Sequence, residues 1–79
     1  MGTSLRSELQ RSAALLRTLR DEVRVQLHLG GLEAQAQWRL LEPRLESAFE
    51  RAKVDASEAS RRALHELTRT LRKLRETLH

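Results

Sequence analysis

An apolar stripe with a period of eleven residues runs through this chain from Leu5 to Leu78. Steps of three, four and four residues define 21 stripe positions, and 17 of them are apolar. Eleven residues in three turns give about 3.67 residues per turn, which is close to the α-helical repeat. The stripe therefore predicts long amphipathic helices that each bury one face. Its central positions are Leu16, Leu19, Val23, Leu27, Gly30, Ala34, Trp38, Leu41, Leu45 and Phe49.

The composition agrees with an all-α fold. Leu, Ala, Arg, Glu and Gln dominate the sequence, and all five are good helix formers. A chain of 79 residues buries only a modest core, so helical chains of this size need near-ideal packing or a partner. We expect one helical domain over residues 1–79.

The clearest helix boundary in the sequence lies near residue 55. Asp55, followed three residues later by Glu58, has the spacing of a capping box, with a carboxylate at the cap. A second helix is therefore predicted over about 57–78. Its apolar seam consists of Leu64, Leu67, Leu71, Leu74 and Leu78.

Charge is unevenly distributed along the chain, whose formal net charge is +4. The two ends are basic and the middle is acidic, so the last helix is predicted to fold back against the segment before it. In that arrangement its basic side chains run beside four glutamates, Glu33, Glu42, Glu46 and Glu50. These basic side chains are Arg61, Arg62, Arg69, Arg72, Lys73 and Arg75.

The pair Gly30-Gly31 leaves two topologies open. The stripe crosses the glycines in phase, which favours one uninterrupted helix over about 4–53, with a kink at Pro43. The fold class predicted on this basis is all-α, a helical hairpin of one long and one shorter amphipathic helix forming an oligomeric bundle. A Gly-Gly pair also marks turns, and the alternative is a break at 30–31 that gives a monomeric three-helix bundle.

A second apolar stripe lies on the opposite face of the segment around the glycines, and one folded-back helix cannot cover both faces. We therefore predict antiparallel self-association about a two-fold near residues 30–33. Such a pairing sets Arg24 opposite Glu42, Arg20 opposite Glu46 and Asp21 opposite Arg44. The ordinary second core face of a central helix in a monomer is the alternative. The predicted self-interface comprises Val25, Leu29, Gly30, Gly31, Leu32, Ala36, Trp38 and Leu40.

Patterns that carry enzyme chemistry are missing from the sequence. The chain has no Cys, and its serines lack the flanking glycines of a nucleophile elbow. Its histidines, at positions 28, 65 and 79, have no metal-ligand spacing, and the glutamates at 42, 46 and 50 fit a solvated helix face. We expect no catalytic, cofactor-binding or metal-binding residues, and no enzyme activity.

One segment resembles a family. The stretch from Asp21 to Ala34, with Trp38 after it, fits the pattern DExRVxLHLxGxEAxxxW. In this it resembles short, uncharacterised bacterial all-helical proteins, which are coiled-coil-like and have been compared with apolipoprotein repeats. The resemblance covers about a third of the chain and carries no activity with it. It implies that any shared function lies in a contact surface formed by Arg24, His28, Gly30, Gly31, Glu33 and Trp38.

These patterns lead to two expectations of function. The first is a homo-oligomerising helical scaffold or adaptor, a dimer or tetramer whose partner is a second copy of the chain. The second is a protein that binds nucleic acid or another acidic partner through the basic last helix. A membrane partner is not expected, because that helix needs its leucines for the core. The N-terminus lacks a signal-peptide core, so we expect a cytoplasmic location.

Overall fold

A computed structural model describes residues 4–78 as three helices joined by two short turns. The helices are α1 (Leu5–Gln26), α2 (Leu32–Val54) and α3 (Glu58–Glu76), with a single 3₁₀ turn (Leu27–Leu29) after α1. Within the described residues the chain has no strand, which confirms the predicted all-α class. The helices run up, down and up, so α1 and α3 are parallel and α2 is antiparallel to both.

The preferred prediction of an uninterrupted helix over about 4–53 is wrong at residues 27–31. Gly30 and Gly31 both have extended backbone, and the chain reverses between α1 and α2. Continuous helix over that range has a length of about 75 Å, whereas the described residues measure 44 × 21 × 15 Å. The three helices follow the alternative topology, a helical bundle.

Packing explains why the chain turns here. Two glycines in a helix cost about 1 kcal/mol each relative to Ala, so the backbone at this point gains little from staying helical. The turn brings the stripe residues of α1 and α2 onto one core, where α3 covers both. Leu27 packs against that core from one side of the turn and Ala34 lies buried on the other. The stripe residues before and after the turn therefore face the same core, although the helix between them is interrupted. Beyond the turn, α2 runs through Pro43 without ending.

Serine side chains cap two of the helices. The Oγ of Ser4 accepts a hydrogen bond from the backbone N–H of Ser7 at the start of α1, and the Oγ of Ser57 accepts one from Ser60 at the start of α3. These caps satisfy backbone donors that have no partner inside the helix. The predicted cap at Asp55 is corrected to Ser57. Asp55 instead accepts a hydrogen bond from the Ser57 hydroxyl over 3.0 Å.

The core is a single cluster made mostly of leucines, with few aromatic side chains. Trp38 and Phe49 are both buried in it, and α1 packs most extensively against α3. Two small residues, Ala13 of α1 and Ser60 of α3, are also buried. The other buried residues are Leu9, Leu16, Leu19, Val23, Ala34, Leu41, Leu45, Ala48, Leu64, Leu67, Leu71, Leu74 and Leu78.

Candidate functional site

An exposed apolar surface surrounds the turn between α1 and α2, and we call it the turn patch. Its large members are between 50% and 84% exposed, with Leu32 the most open of them. They come from the end of α1, the 3₁₀ turn and the outward side of α2, so no helix of the same chain covers them. An exposed Leu by itself is ordinary, but Leu32, Ala36 and Leu40 follow one another every four residues on the outward side of α2, and an exposed apolar row of this kind is typical of an interaction surface. The turn patch consists of Val25, Leu29, Leu32, Ala36 and Leu40.

Three residues of the predicted self-interface have a different place. Trp38 is only 6% exposed and belongs to the core, because it lies on the inward face of α2. Gly30 is half-buried, and the side chain of Leu78 packs over it. Gly31 is exposed at the start of α2, with no heavy atom within 4 Å of the position a Cβ would take. Trp38 is therefore corrected to a core position, Gly30 is partly covered by Leu78, and Gly31 stays at the surface.

One of the three charge pairs predicted between two copies forms within a single chain. Arg24 Nη2 lies 3.4 Å from Glu42 Oε2, across the α1–α2 hairpin. Arg24 also lies over the ring of Trp38, at 6.0 Å from its centroid. Arg20 pairs with its neighbour Asp21 over 3.2 Å rather than with Glu46. The centre that the sequence suggested for a dimer is thus the centre of an intrachain hairpin.

Other residues of the matched segment are exposed at the same end of the bundle. The ring Nδ1–H of His28 donates a hydrogen bond of 2.9 Å to the carbonyl oxygen of Val25. Glu33 lies in the first turn of α2 and is exposed. Both residues, with Gly31, lie on the surface near the turn patch.

A second surface is basic and lies on the side of α3 that adjoins α1. Ion pairs close it at both ends, because Arg61 binds Glu58 over 2.9 Å and Arg75 binds Glu22 of α1 over 3.1 Å. The predicted pairing of α3 with the glutamates of α2 is wrong, since within residues 4–78 none of Glu33, Glu42, Glu46 and Glu50 has an ion pair with α3. Arg75 instead reaches α1 through Glu22, and Arg69 and Arg72 line the seam between α3 and α1.

Arg61 is held by Glu58 of its own helix. Its hydrogen bond from the guanidinium to Glu58 raises the pKa of Arg61 above its ordinary value, and the charges of Glu58 and Glu8 add to this. An arginine engaged in this way has little left to offer a partner. The cationic groups between the two closed ends are therefore the ones that matter for binding.

A shallow groove of about 280 Å³ follows the seam between α1 and α3. Ser12 and Leu15 line it from α1, and Leu15 is 63% exposed. From α3 the lining residues are His65, Thr68, Arg69 and Arg72. The sequence pattern does not predict the α1 side of this groove. Leu15 is a large apolar residue that does not belong to the main stripe. This is the one feature of the sequence that indicates an exposed apolar side chain on this side of α1.

The glutamate row of α2 has no metal-site geometry around it. Within the described residues 4–78, no group of three His, Asp or Glu side chains is placed to hold a metal ion. Glu42 pairs with Arg24, and Glu50 pairs with Lys53 one turn further along α2. Both glutamates act in surface ion pairs.

Comparison with known proteins adds no relative. The chain matches no protein-family model, no curated protein and no solved structure. The resemblance of residues 21–38 to short bacterial helical proteins therefore stays a prediction. Among the described residues, no helix is both long and apolar enough to cross a membrane.

Proposed function

We propose that this chain is a non-enzymatic helical scaffold or adaptor that associates with a second copy of itself through the turn patch. The observation that carries the proposal is that four of the six exposed large apolar side chains of the described residues, Val25, Leu29, Leu32 and Leu40, come from the turn and the helix segments beside it. Burying each of them contributes about 1.5–3 kcal/mol. A two-fold interface uses the same patch on both copies, so every contribution counts twice.

The outward side of α2 supports a second copy as the partner. Leu32, Ala36 and Leu40 follow one another at intervals of four residues, and all three are exposed. Glu33 and Arg39 lie three residues on either side of Ala36. An antiparallel pairing of two α2 helices about Ala36 sets Leu32 against Leu40 and brings Glu33 level with Arg39. The small side chain of Ala36 at the centre lets the two backbones approach.

The position of this two-fold differs from the one suggested by the sequence alone. The sequence pattern predicts an axis near residues 30–33, on a helix that runs through both glycines. Because the chain reverses at Gly30 and Gly31, only the α2 half of the second stripe forms a straight row. The proposed axis therefore moves to Ala36, and Val25 and Leu29 extend the patch beyond the turn.

The test is the mass of the protein in solution, measured by size-exclusion chromatography with light scattering. We expect the wild-type chain to have a multiple of its 9.1 kDa monomer mass and Leu32→Glu to be a monomer. Val54→Glu is the matched control, since Val54 is also exposed on α2 but lies at its far end. It should keep the wild-type mass.

Two results would contradict the proposal. One is a wild-type monomer at the highest concentration that stays in solution, and the other is an equal effect of the two substitutions. Leu32 is 84% exposed in the single chain, so Leu32→Glu should alter the stability of the monomer by no more than about 0.5 kcal/mol. Circular dichroism of the variant separates a lost interface from a lost fold.

A further inference from the structure

We propose that the basic surface of α3 binds the phosphate backbone of double-stranded nucleic acid, without sequence preference. This function is separate from self-association, because it uses the middle of α3 and the α1 groove rather than the turn patch. Four cationic side chains carry it, and we call them the basic face. They are Arg62, Arg69, Arg72 and Lys73.

Among the described residues, no side chain of the basic face forms an ion pair, although Glu66 and Glu76 lie on α3 at helical spacing from its cations. Within residues 4–78, none of its four side chains has a carboxylate oxygen within 4.0 Å of a side-chain nitrogen. All four residues are exposed. Glu66 borders this surface beside Arg62 and Arg69, and it also lines the groove that α3 forms with α2. Unpaired cations held on one rigid helix attract a polyanion, because binding releases the counterions condensed on it.

The spacing of the basic face suits a run of phosphates. Arg62 and Lys73 are eleven residues apart, which is about 16 Å along a helix. One strand of a duplex carries a phosphate about every 3.4 Å of its axis, so a row of this length spans several phosphates. Arginine forms bidentate hydrogen bonds with phosphate oxygens, and three of the four residues are arginines.

The groove beside α1 adds polar contacts without adding negative charge. Ser12 and Thr68 line it and offer hydroxyl groups, which bind phosphate oxygens in many nucleic-acid complexes. His65 lies between Arg62 and Arg69 on the same side of α3, at helical spacing from both. No Asp or Glu lines this groove.

Burial of the aromatic and leucine side chains decides which polyanion is favoured. Single-stranded nucleic acid is bound by stacking its bases on exposed aromatic rings, but Trp38 and Phe49 are both buried. A membrane-surface helix inserts an apolar face into the lipid, but Leu64 and Leu71 of α3 are buried in the core. A duplex needs neither feature, since its phosphates are presented on a regular outer surface.

The first measurement is fluorescence anisotropy of a labelled DNA duplex of mixed sequence, titrated with the full chain at several salt concentrations. We expect the logarithm of the association constant to fall with the logarithm of salt at a slope of about −3 to −4, as four phosphate contacts require. A scrambled duplex should bind equally well.

Matched charge reversals show whether the basic face is responsible. The double variant Arg69→Glu/Arg72→Glu should lose affinity by at least about tenfold at low salt, because two contacts become repulsive. The control is Arg44→Glu/Arg51→Glu, on the α2 side of the bundle, where both residues line the groove with Glu66. Each double variant lowers the formal net charge from +4 to 0. The control should stay within about threefold of the wild type.

Three outcomes would overturn the proposal. These are the absence of salt-dependent binding to the duplex, an equal loss in both double variants, and tighter binding to phosphatidylserine vesicles or single strands than to the duplex. A third variant, Arg69→Lys/Arg72→Lys, keeps the charge and should keep most of the affinity. Because all these residues are exposed, circular dichroism should show every variant folded. Leu32→Glu should retain duplex binding per chain, so failure of self-association is distinguishable from failure of this site.

Discussion

The side chain of Leu78 packs over the backbone of Gly30 and closes one end of the core. A Cβ added to Gly30 would lie 2.6 Å from Leu78 Cδ2 and 2.7 Å from the Cβ of Ala34. The φ angle of Gly30 is −89°, which any residue adopts. It is therefore the lack of space, and not the backbone conformation, that requires glycine here. The contact links the end of the chain to the turn between α1 and α2.

Adding one methyl group at each glycine in turn tests this contact. We expect Gly30→Ala to lower the free energy of unfolding by about 1–3 kcal/mol, because Leu78 and Ala34 must both shift to make room. Gly31→Ala is the control, since it meets no atom within 4 Å and has a φ of −84°. It should leave stability unchanged or raise it by up to about 1 kcal/mol, through the entropy of the unfolded chain. Urea unfolding followed by circular dichroism gives both values. Equal costs at the two positions would show that the Leu78 contact does not matter.

The start of α3 provides a second matched pair. Ser57→Ala removes the hydroxyl that accepts a hydrogen bond from the Ser60 backbone, and we expect it to destabilise the fold by about 0.5–2 kcal/mol. Asp55→Ala removes only a surface acceptor of the Ser57 hydroxyl, so its cost should be a few tenths of a kcal/mol. Thermal unfolding of the two variants at the same protein concentration compares them. A larger cost for Asp55→Ala would restore the cap that the sequence predicted.

Much of the core was readable from the sequence because it follows the helical repeat. Leu16, Val23, Trp38, Leu41 and Leu45 were all on the predicted stripe, and all are buried. The stripe fails at Ala56, which is exposed because the chain leaves α2 at Val54.

The turn itself was not decided by the same pattern. Antiparallel pairing about residues 30–33 sets Arg24 near Glu42 whether the partner is a second copy or the other arm of a hairpin. Both arrangements bring the same opposite charges together. The charge pattern therefore predicts where the two segments cross, but not whether they belong to one chain or to two. The deciding contributions come from distant residues, such as Leu78 on Gly30, and these are not visible in a local pattern.

The two surfaces also differ in how far the sequence predicts them. The turn patch was predictable, because a second stripe on the opposite face of an amphipathic helix cannot reach the same core. The basic face was predictable only as a charge cluster. Which of its cations remain unpaired depends on the parallel packing of α1 on α3, which brings Glu22 to Arg75. That packing exists only because the helix breaks at the glycines. The sequence pattern favours a continuous helix there, so it does not predict the packing of α1 on α3.

The same contacts can join α1 to α2 within one chain or between two chains. This leads to a prediction for the double variant Gly30→Ala/Gly31→Ala. Its two alanines favour a continuous helix by about 2 kcal/mol in total, and the methyl at position 30 crowds the turn. In a continuous helix, α1 of one copy can pair with α2 of another through the same contacts, including Arg24 with Glu42. We therefore expect an exchanged, elongated dimer, in which the joined helix is about 75 Å long, against the 44 Å of the hairpin form. Small-angle X-ray scattering measures this dimension, with Gly31→Ala as the control, and both variants also carry Leu32→Glu so that association through the turn patch does not add to the length. A double variant that keeps the short dimension would show that α3, and not the glycines, holds the hairpin closed.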